Sequence, residues 1–203
     1  MVQSEPVGRA DDPRFDAAGV VHAVGSEVTS FAVGDEVWYA GDITRQGSNA
    51  EFQAVDERIV ARKPTSLGFA EAAALPLTTI TAWETLFERF GMTADTTGDL
   101  LVLGAAGGGG IRADPTGEEA HGGVRVIGTA SRDDSRRWAE EMGADVVVDH
   151  HHLREQTLDV APDGVHFVFS PHSAGNVEAY AEVTRPFGHV TAIDDPVGST
   201  WRR

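Results

Sequence analysis

The chain has 203 residues, 41% of them hydrophobic, with 32 acidic against 16 basic side chains, no cysteine and one lysine, Lys63. A net charge of −16 argues against a nucleic-acid partner, because phosphate backbones are held by clustered cations. The absence of cysteine excludes disulfides, a thiolate nucleophile and cysteine-ligated zinc or iron–sulfur clusters. No apolar run approaches the roughly 18–20 residues that cross a bilayer, and no basic-then-apolar leader opens the chain, so a soluble, cytoplasmic protein with no membrane partner is expected. The carboxylate excess reads as a solvated acidic surface, and its near-total lack of lysine suits a high-salt cytosol in which repulsion is screened.

Residues 1–14 are polar, carry two prolines and show no periodicity, as a mobile lead-in does. From Ala17 to Ile59 three short apolar runs, AAGVVHAVG, FAVGDEVWYA and NAEFQAVDERIV, read as strands of a small β-rich unit, with Gly34-Asp35 turning into the second. Composition shifts at Lys63-Pro64. Ser66–Leu75 is alanine-rich and helical, Pro76 interrupts it, and a helical stripe resumes through Ile80, Trp83, Leu86, Phe87 and Phe90. Beyond Gly91 five β-branched runs follow, at 100–103, 124–129, 146–148, 165–169 and 189–193, with a helical stretch at 133–142. They lack an in/out alternation, which predicts a parallel sheet covered on both faces. The expected fold class is therefore α/β, with a β unit over 1–64 and a doubly wound sheet over 65–203.

The first run of that sheet leads directly into Ala105, Ala106, Gly107, Gly108, Gly109 and Gly110. Glycines after a strand let backbone N–H groups approach a pyrophosphate. The second run ends in Ala130-Ser131-Arg132, with Arg136 one helical turn on. An acidic residue there would accept from a ribose 2′-hydroxyl, whereas a hydroxyl and a guanidinium suit a 2′-phosphate, so NADPH is expected over NADH. Asp133 and Asp134 follow immediately and oppose that preference.

The runs FDAAGVVHAVGSEV, FAVGDEVWYAGDITRQGSNAEF, AAALPLTTITAWETLFERFG, LLVLGAAGGGG and RVIGTASRDDSRRWAEEMGADVVVDH, in this order, resemble the zinc-free, quinone-oxidoreductase-like branch of the medium-chain dehydrogenase/reductase superfamily. The resemblance implies a partial GroES-like catalytic half, a Rossmann half lacking its last strand, and NADPH between them. It implies hydride transfer to a small-molecule quinone, enone or related carbonyl, and pairing of two copies into a homodimer at the Rossmann sheet edge. Carried across by position, residues 105–110 form the pyrophosphate loop, and Ser131, Arg132 and Arg136 form the 2′-phosphate pocket. Thr81 lies near the nicotinamide, Tyr39 faces the cleft as the one catalytic candidate, and Ser170 and Asp194 stand at strand ends beside the ligand.

The zinc-dependent relatives use a cysteine, a Gly-His-Glu segment and a four-cysteine lobe, whereas this chain has Arg14-Phe15-Asp16 and no cysteine, so no metal is expected. His150-His151-His152 reads as a solvated turn, and His150 departs from a tyrosine that touches the adenosine phosphate in the family. Three further departures stand out. The chain starts late in the catalytic half, and after Pro196 only VGSTWRR remains. The third is residues 111–121, where the family has an alanine-rich helix and this chain has Pro115 and Gly117, as after a local change of reading frame. Two alternatives follow to an active reductase: a catalytically silent remnant, or a nucleotide-binding module without chemistry.

Overall fold

The structure, a computed structural model, describes residues 16–42, 44–45, 47–105, 123–171 and 176–193. The chain divides into two compact units, Met1–Ile80 and Thr81–Arg203.

The first unit is built on an antiparallel sheet in the order β1 (Ala17–Val20), β2 (Glu36–Tyr39), β3 (Ala61–Arg62). Gly34-Asp35 makes the expected turn into β2: the Gly34 N–H donates to the Val21 carbonyl and the Val21 N–H to that of Asp35, both at 2.9 Å. The third expected strand does not form at 49–60. Asp56 instead accepts from the Arg58 N–H at 3.0 Å and caps a 3₁₀ turn, Glu57–Ile59, and pairing resumes only at β3. Helix α1 (Phe69–Ala73) packs on β1 and β2, which places the break between units after Ile80, beyond the shift in composition at Lys63-Pro64. Helix α2 (Pro76–Trp83) starts on its proline, where a missing N–H costs nothing, and the Leu77 N–H donates to Asp16 Oδ1 at 3.0 Å. The lone lysine is structural: buried Lys63 donates to the carbonyls of Pro64 (3.0 Å) and Leu67 (2.6 Å) and pairs with Glu36 at 3.1 Å.

Carboxylates set how this unit responds to acid. Glu57 Oε2 accepts from the N–H groups of Ser30 (2.9 Å) and Thr29 (3.1 Å), which hold its carboxyl below its ordinary range. The Ala32 N–H and then Arg62 do the same for Asp35. Groups depressed in this way stabilise the fold above the ordinary carboxylate range, and that stabilisation is lost as pH falls towards their folded values. Asp16 acts in the opposite sense, since burial raises its carboxyl by more than the Leu77 bond lowers it. The expected result is that Glu57→Gln, melted between pH about 6 and about 3, loses less of its melting temperature on acidification than the parent.

The second unit holds a five-stranded sheet, all parallel, in the order β6-β5-β4-β7-β8. Its strands are β4 (Gly98–Val102), β5 (Val124–Thr129), β6 (Val146–Val148), β7 (Val165–Ser170) and β8 (Thr184–Ala192). Each face is apolar because each is covered. Leu101, Ile127, Val148 and Val168 pack with Leu153 at the start of α4 (Leu153–Val160) and with Tyr180 and Val183 of α5 (Val177–Val183). Leu100, Val102, Val126, Val147 and Phe169 pack on the other side with Ala139 of α3 (Asp133–Glu141) and with Leu86. Leu86 lies in a π-helical segment, Glu84–Arg89, that continues α2 and closes with the Phe90 N–H on the Thr85 carbonyl at 2.9 Å.

Strand β8 starts earlier than expected. Val165 faces Thr184 but Phe167 faces His189, so Arg185–Gly188 bulges out, leaving Phe187 at φ 66° and fully exposed. Among the described residues no helix is long and apolar enough to cross a membrane.

Candidate functional site

Every strand of the parallel sheet runs the same way, so the residues that follow β4, β5 and β6 gather at one end of it. After β4, the Gly104 N–H donates to Thr129 Oγ1 on β5 at 2.8 Å, and the Leu103 N–H donates to the Phe169 carbonyl on β7 at 3.0 Å. Ala105 is buried directly against β5. A Cβ added at Gly128 would lie 3.0 Å from the Ala105 Cβ and 3.3 Å from that of Ala144, so only glycine lets the post-β4 backbone sit this close. These contacts fix where the glycine run begins. Ala106, Gly107, Gly108, Gly109 and Gly110 lie outside the described residues, as do Asp194 and the segment 111–121.

Beyond β5 the chain exposes Ser131 and Arg132 at the head of α3. Arg132 Nε lies 3.2 Å from Asp134 Oδ1, with both side chains more than two-thirds exposed, an ion pair that a more highly charged anion can replace at little cost. Asp134 Oδ1 also accepts from the Ser135 N–H at 2.8 Å; that bond first, and Arg132 second, hold its carboxyl below the ordinary range. Asp133 and Asp134 thus occupy the first turn of α3, where the helix dipole favours negative charge. Their place in the sequence is accounted for without a ribose contact.

Arg136 does something different from the two residues with which it was grouped. Its guanidinium donates to the Ala130 carbonyl at 3.2 Å and to the Val147 carbonyl at 2.7 Å, tying the exit of β5 to β6. It is therefore a brace beneath the Ser131–Arg132 segment, with its donors directed at backbone. Replacing it by methionine keeps the apolar stem and leaves two carbonyls without a donor. Arg136→Met is expected to lower unfolding free energy by about 1–3 kcal/mol in a denaturant titration.

The remaining candidates are spread more widely. Ser170 ends β7 fully buried, and its carbonyl accepts from the Ile193 N–H at 3.1 Å across the β7–β8 pair. Thr81 sits half-buried on α2, shortly before the π-helical segment. Tyr39 belongs to the first unit, where its hydroxyl donates to Gln53 Oε1 at 2.6 Å and burial raises its pKa. Its proton is thus held at neutral pH and already engaged.

Three features of this region were not anticipated from sequence: the Thr129 acceptor, the close contact at Gly128, and the π-helical turn that presents Leu86 to the sheet. A glycine inside a β-branched strand is a signal for the second. Nothing local signals the others.

A family model described as "Zinc-binding dehydrogenase" matches residues 119–194. The zinc-type alcohol dehydrogenase-like protein of Staphylococcus epidermidis is 39% identical over 185 residues, covering 88% of this chain and 54% of that protein. The 2-methylene-furan-3-one reductase of Solanum lycopersicum is 36% identical over 193 residues, covering 91% and 47%. The crystal structure of Escherichia coli quinone oxidoreductase complexed with NADPH superposes with a TM-score of 0.74 at 25% identity, over 87% of this chain and 53% of that one. Together these similarities support a place for the chain in the medium-chain dehydrogenase/reductase superfamily. It spans about half the length of the curated relatives it matches.

The five-stranded parallel sheet matches the Rossmann-like domain of these neighbours. The donor set does not fit a cysteine-ligated zinc, since the chain has no cysteine. The set at the end of β5 does fit a phosphomonoester. An exposed hydroxyl and an exposed guanidinium stand side by side there, with no carboxylate on the strand end itself.

Proposed function

We propose that the second unit binds NADPH across the ends of β4, β5 and β6, and that the protein is a zinc-free oxidoreductase acting on a quinone or an α,β-unsaturated carbonyl compound. One observation carries the reading: Ser131 and Arg132 stand exposed where a strand-end acid would select NADH. In this reading Arg132 and Ser131 hold the 2′-phosphate, Arg136 supports their backbone, and the chain from Gly104 onward meets the pyrophosphate. Thr81 faces the nicotinamide end, with Ser170 and Asp194 at neighbouring strand ends. When bound, NADPH supplies a hydride, so that an enone taking it at the β-carbon and a solvent proton at the α-carbon leaves as the saturated ketone, with NADP⁺ as the other product. The protein's share is orientation and exclusion of water, which requires no ionisable triad. Pairing of two copies at the sheet edge, a cytoplasmic location and a high-salt habitat belong to the same reading.

The similarity to a quinone oxidoreductase complexed with NADPH and to a reductase of a methylene-furanone supports the choice of acceptors. The test is loss of nicotinamide absorbance with a panel of quinones, enones and saturated ketones. Turnover of the first two classes with NADPH is expected, and turnover of saturated ketones alone would contradict the assignment. A second reading, a nucleotide-binding module without chemistry, draws on Tyr39, whose proton is engaged by Gln53. Saturable NADPH binding with no turnover of any acceptor would favour it.

A further inference from the structure

Of the three histidines after β6, which read from sequence as a solvated turn, the fold gathers His150 and His151 with a carboxylate. His150–His152 form a single 3₁₀ turn between β6 and α4. Three hydrogen bonds pin its start. The Asp149 N–H donates to Gln156 Oε1 on α4 at 2.7 Å, the His151 N–H donates to Asp149 Oδ1 at 2.9 Å, and the His152 N–H donates to the Asp149 carbonyl at 2.9 Å. The rings of His150 and His151 lie with centroids 4.2 Å apart and their planes tilted by 42°. As a result one ligand atom from each of Asp149, His150 and His151 lies within 4.8 Å of the other two.

We infer that Asp149, His150 and His151 form a surface site for a divalent transition-metal ion of the Zn²⁺, Ni²⁺ or Co²⁺ class. Imidazole nitrogens with one carboxylate oxygen match the donor preference of these ions, and no thiolate is needed. Bonds of about 2.0–2.2 Å put tetrahedral donors roughly 3.3 Å apart, so closing from 4.8 Å asks only for side-chain rotation of two exposed imidazoles. The backbone beneath them is already held, which removes the main ordering cost of three consecutive ligands. Asp149 keeps a second carboxylate oxygen for the ion while Oδ1 caps the turn. The net charge of −16 raises the local concentration of cations. The remaining coordination positions face solvent, so the ion exchanges freely and takes water or a small anion as a further ligand. The cluster directly follows β6, at the sheet end where the dinucleotide is proposed to bind, so the titration is made without dinucleotide and its outcome does not depend on that reading.

The test is calorimetric titration of the full chain with Ni²⁺ and with Zn²⁺ in a non-chelating buffer, repeated with Co²⁺ by visible absorption. About one ion per chain is expected. His150→Asn and His151→Asn should each weaken binding at least about ten-fold, and Asp149→Asn should weaken it while keeping the cap, since the amide oxygen still accepts from the His151 N–H. His22→Asn and His189→Asn, outside the cluster, should leave it unchanged. Melts in excess chelator establish that each variant is folded. Several weak ions spread over the acidic surface, or binding indifferent to all three cluster substitutions, would overturn the site.

Discussion

Arg132→Ala is expected to weaken NADPH binding by about 10- to 100-fold while leaving NADH binding within about two-fold. A charge-assisted hydrogen bond contributes about 1.5–3 kcal/mol, and each 1.4 kcal/mol is a factor of ten. The guanidinium is about three-quarters exposed and, among the described residues, pairs with a similarly open Asp134, so removing it disturbs little of the free protein. The effect therefore belongs to the complex. Tryptophan fluorescence titration with both dinucleotides checks it, and an equal loss for NADH would place Arg132 somewhere other than the 2′-phosphate. Arg136→Met separates the two arginines by stability: as a brace its loss lowers unfolding free energy, whereas Arg132→Ala leaves stability nearly unchanged.

Gly164→Ala is expected to lower unfolding free energy by about 2–5 kcal/mol, the largest stability loss considered. Gly164 has φ +82°, and a Cβ there would lie 2.7 Å from the Arg185 nitrogen and 2.8 Å from the Val183 oxygen. The left-handed conformation costs an L-residue about 1–2 kcal/mol. Displacing two backbone atoms at the junction of α5 and β8 adds about 1–3 kcal/mol. Gly143 isolates the first effect from the second, because it has φ +99° and nothing within 4 Å of its Cβ direction. Gly143→Ala should therefore cost only about 1–2 kcal/mol. Denaturant unfolding of the two variants gives the comparison, and equal losses would mean that the close approach at Gly164 relaxes freely.

The parallel sheet was legible because its physics is local. Leu100–Leu103, Val124–Thr129 and Val165–Phe169 are apolar on both sides, and burial on both faces is what such runs require. Helices α4 and α5 were not anticipated, since Leu153 and Thr157 on one and Tyr180 and Val183 on the other offer only one turn's worth of buried stripe. The run at 49–60 misled because its apolar residues match a strand, while Asp56 satisfies the Arg58 N–H and selects a turn. The bulge in β8 depends on how β7 pairs with it, which no segment specifies alone.

At the candidate site the same division holds. Ser131 and Arg132 could be named because they follow a recognisable strand. Arg136 shares their composition, yet its partners are the carbonyls of Ala130 and Val147, six and eleven residues away, and the second of these is brought near only by β5–β6 pairing. The Asp149 cluster is similar: three histidines in a row suggest divergent side chains, and the 3₁₀ turn capped by Asp149 is what gathers two of them.

The most direct test of the account is a titration of the purified full chain with NADPH and with NADH, alongside a thermal melt in the same buffer. The account predicts a cooperative melt and saturable binding that favours NADPH by at least about ten-fold, the share of the 2′-phosphate contacts. A folded protein that binds neither dinucleotide, or binds NADH as well as NADPH, would contradict it.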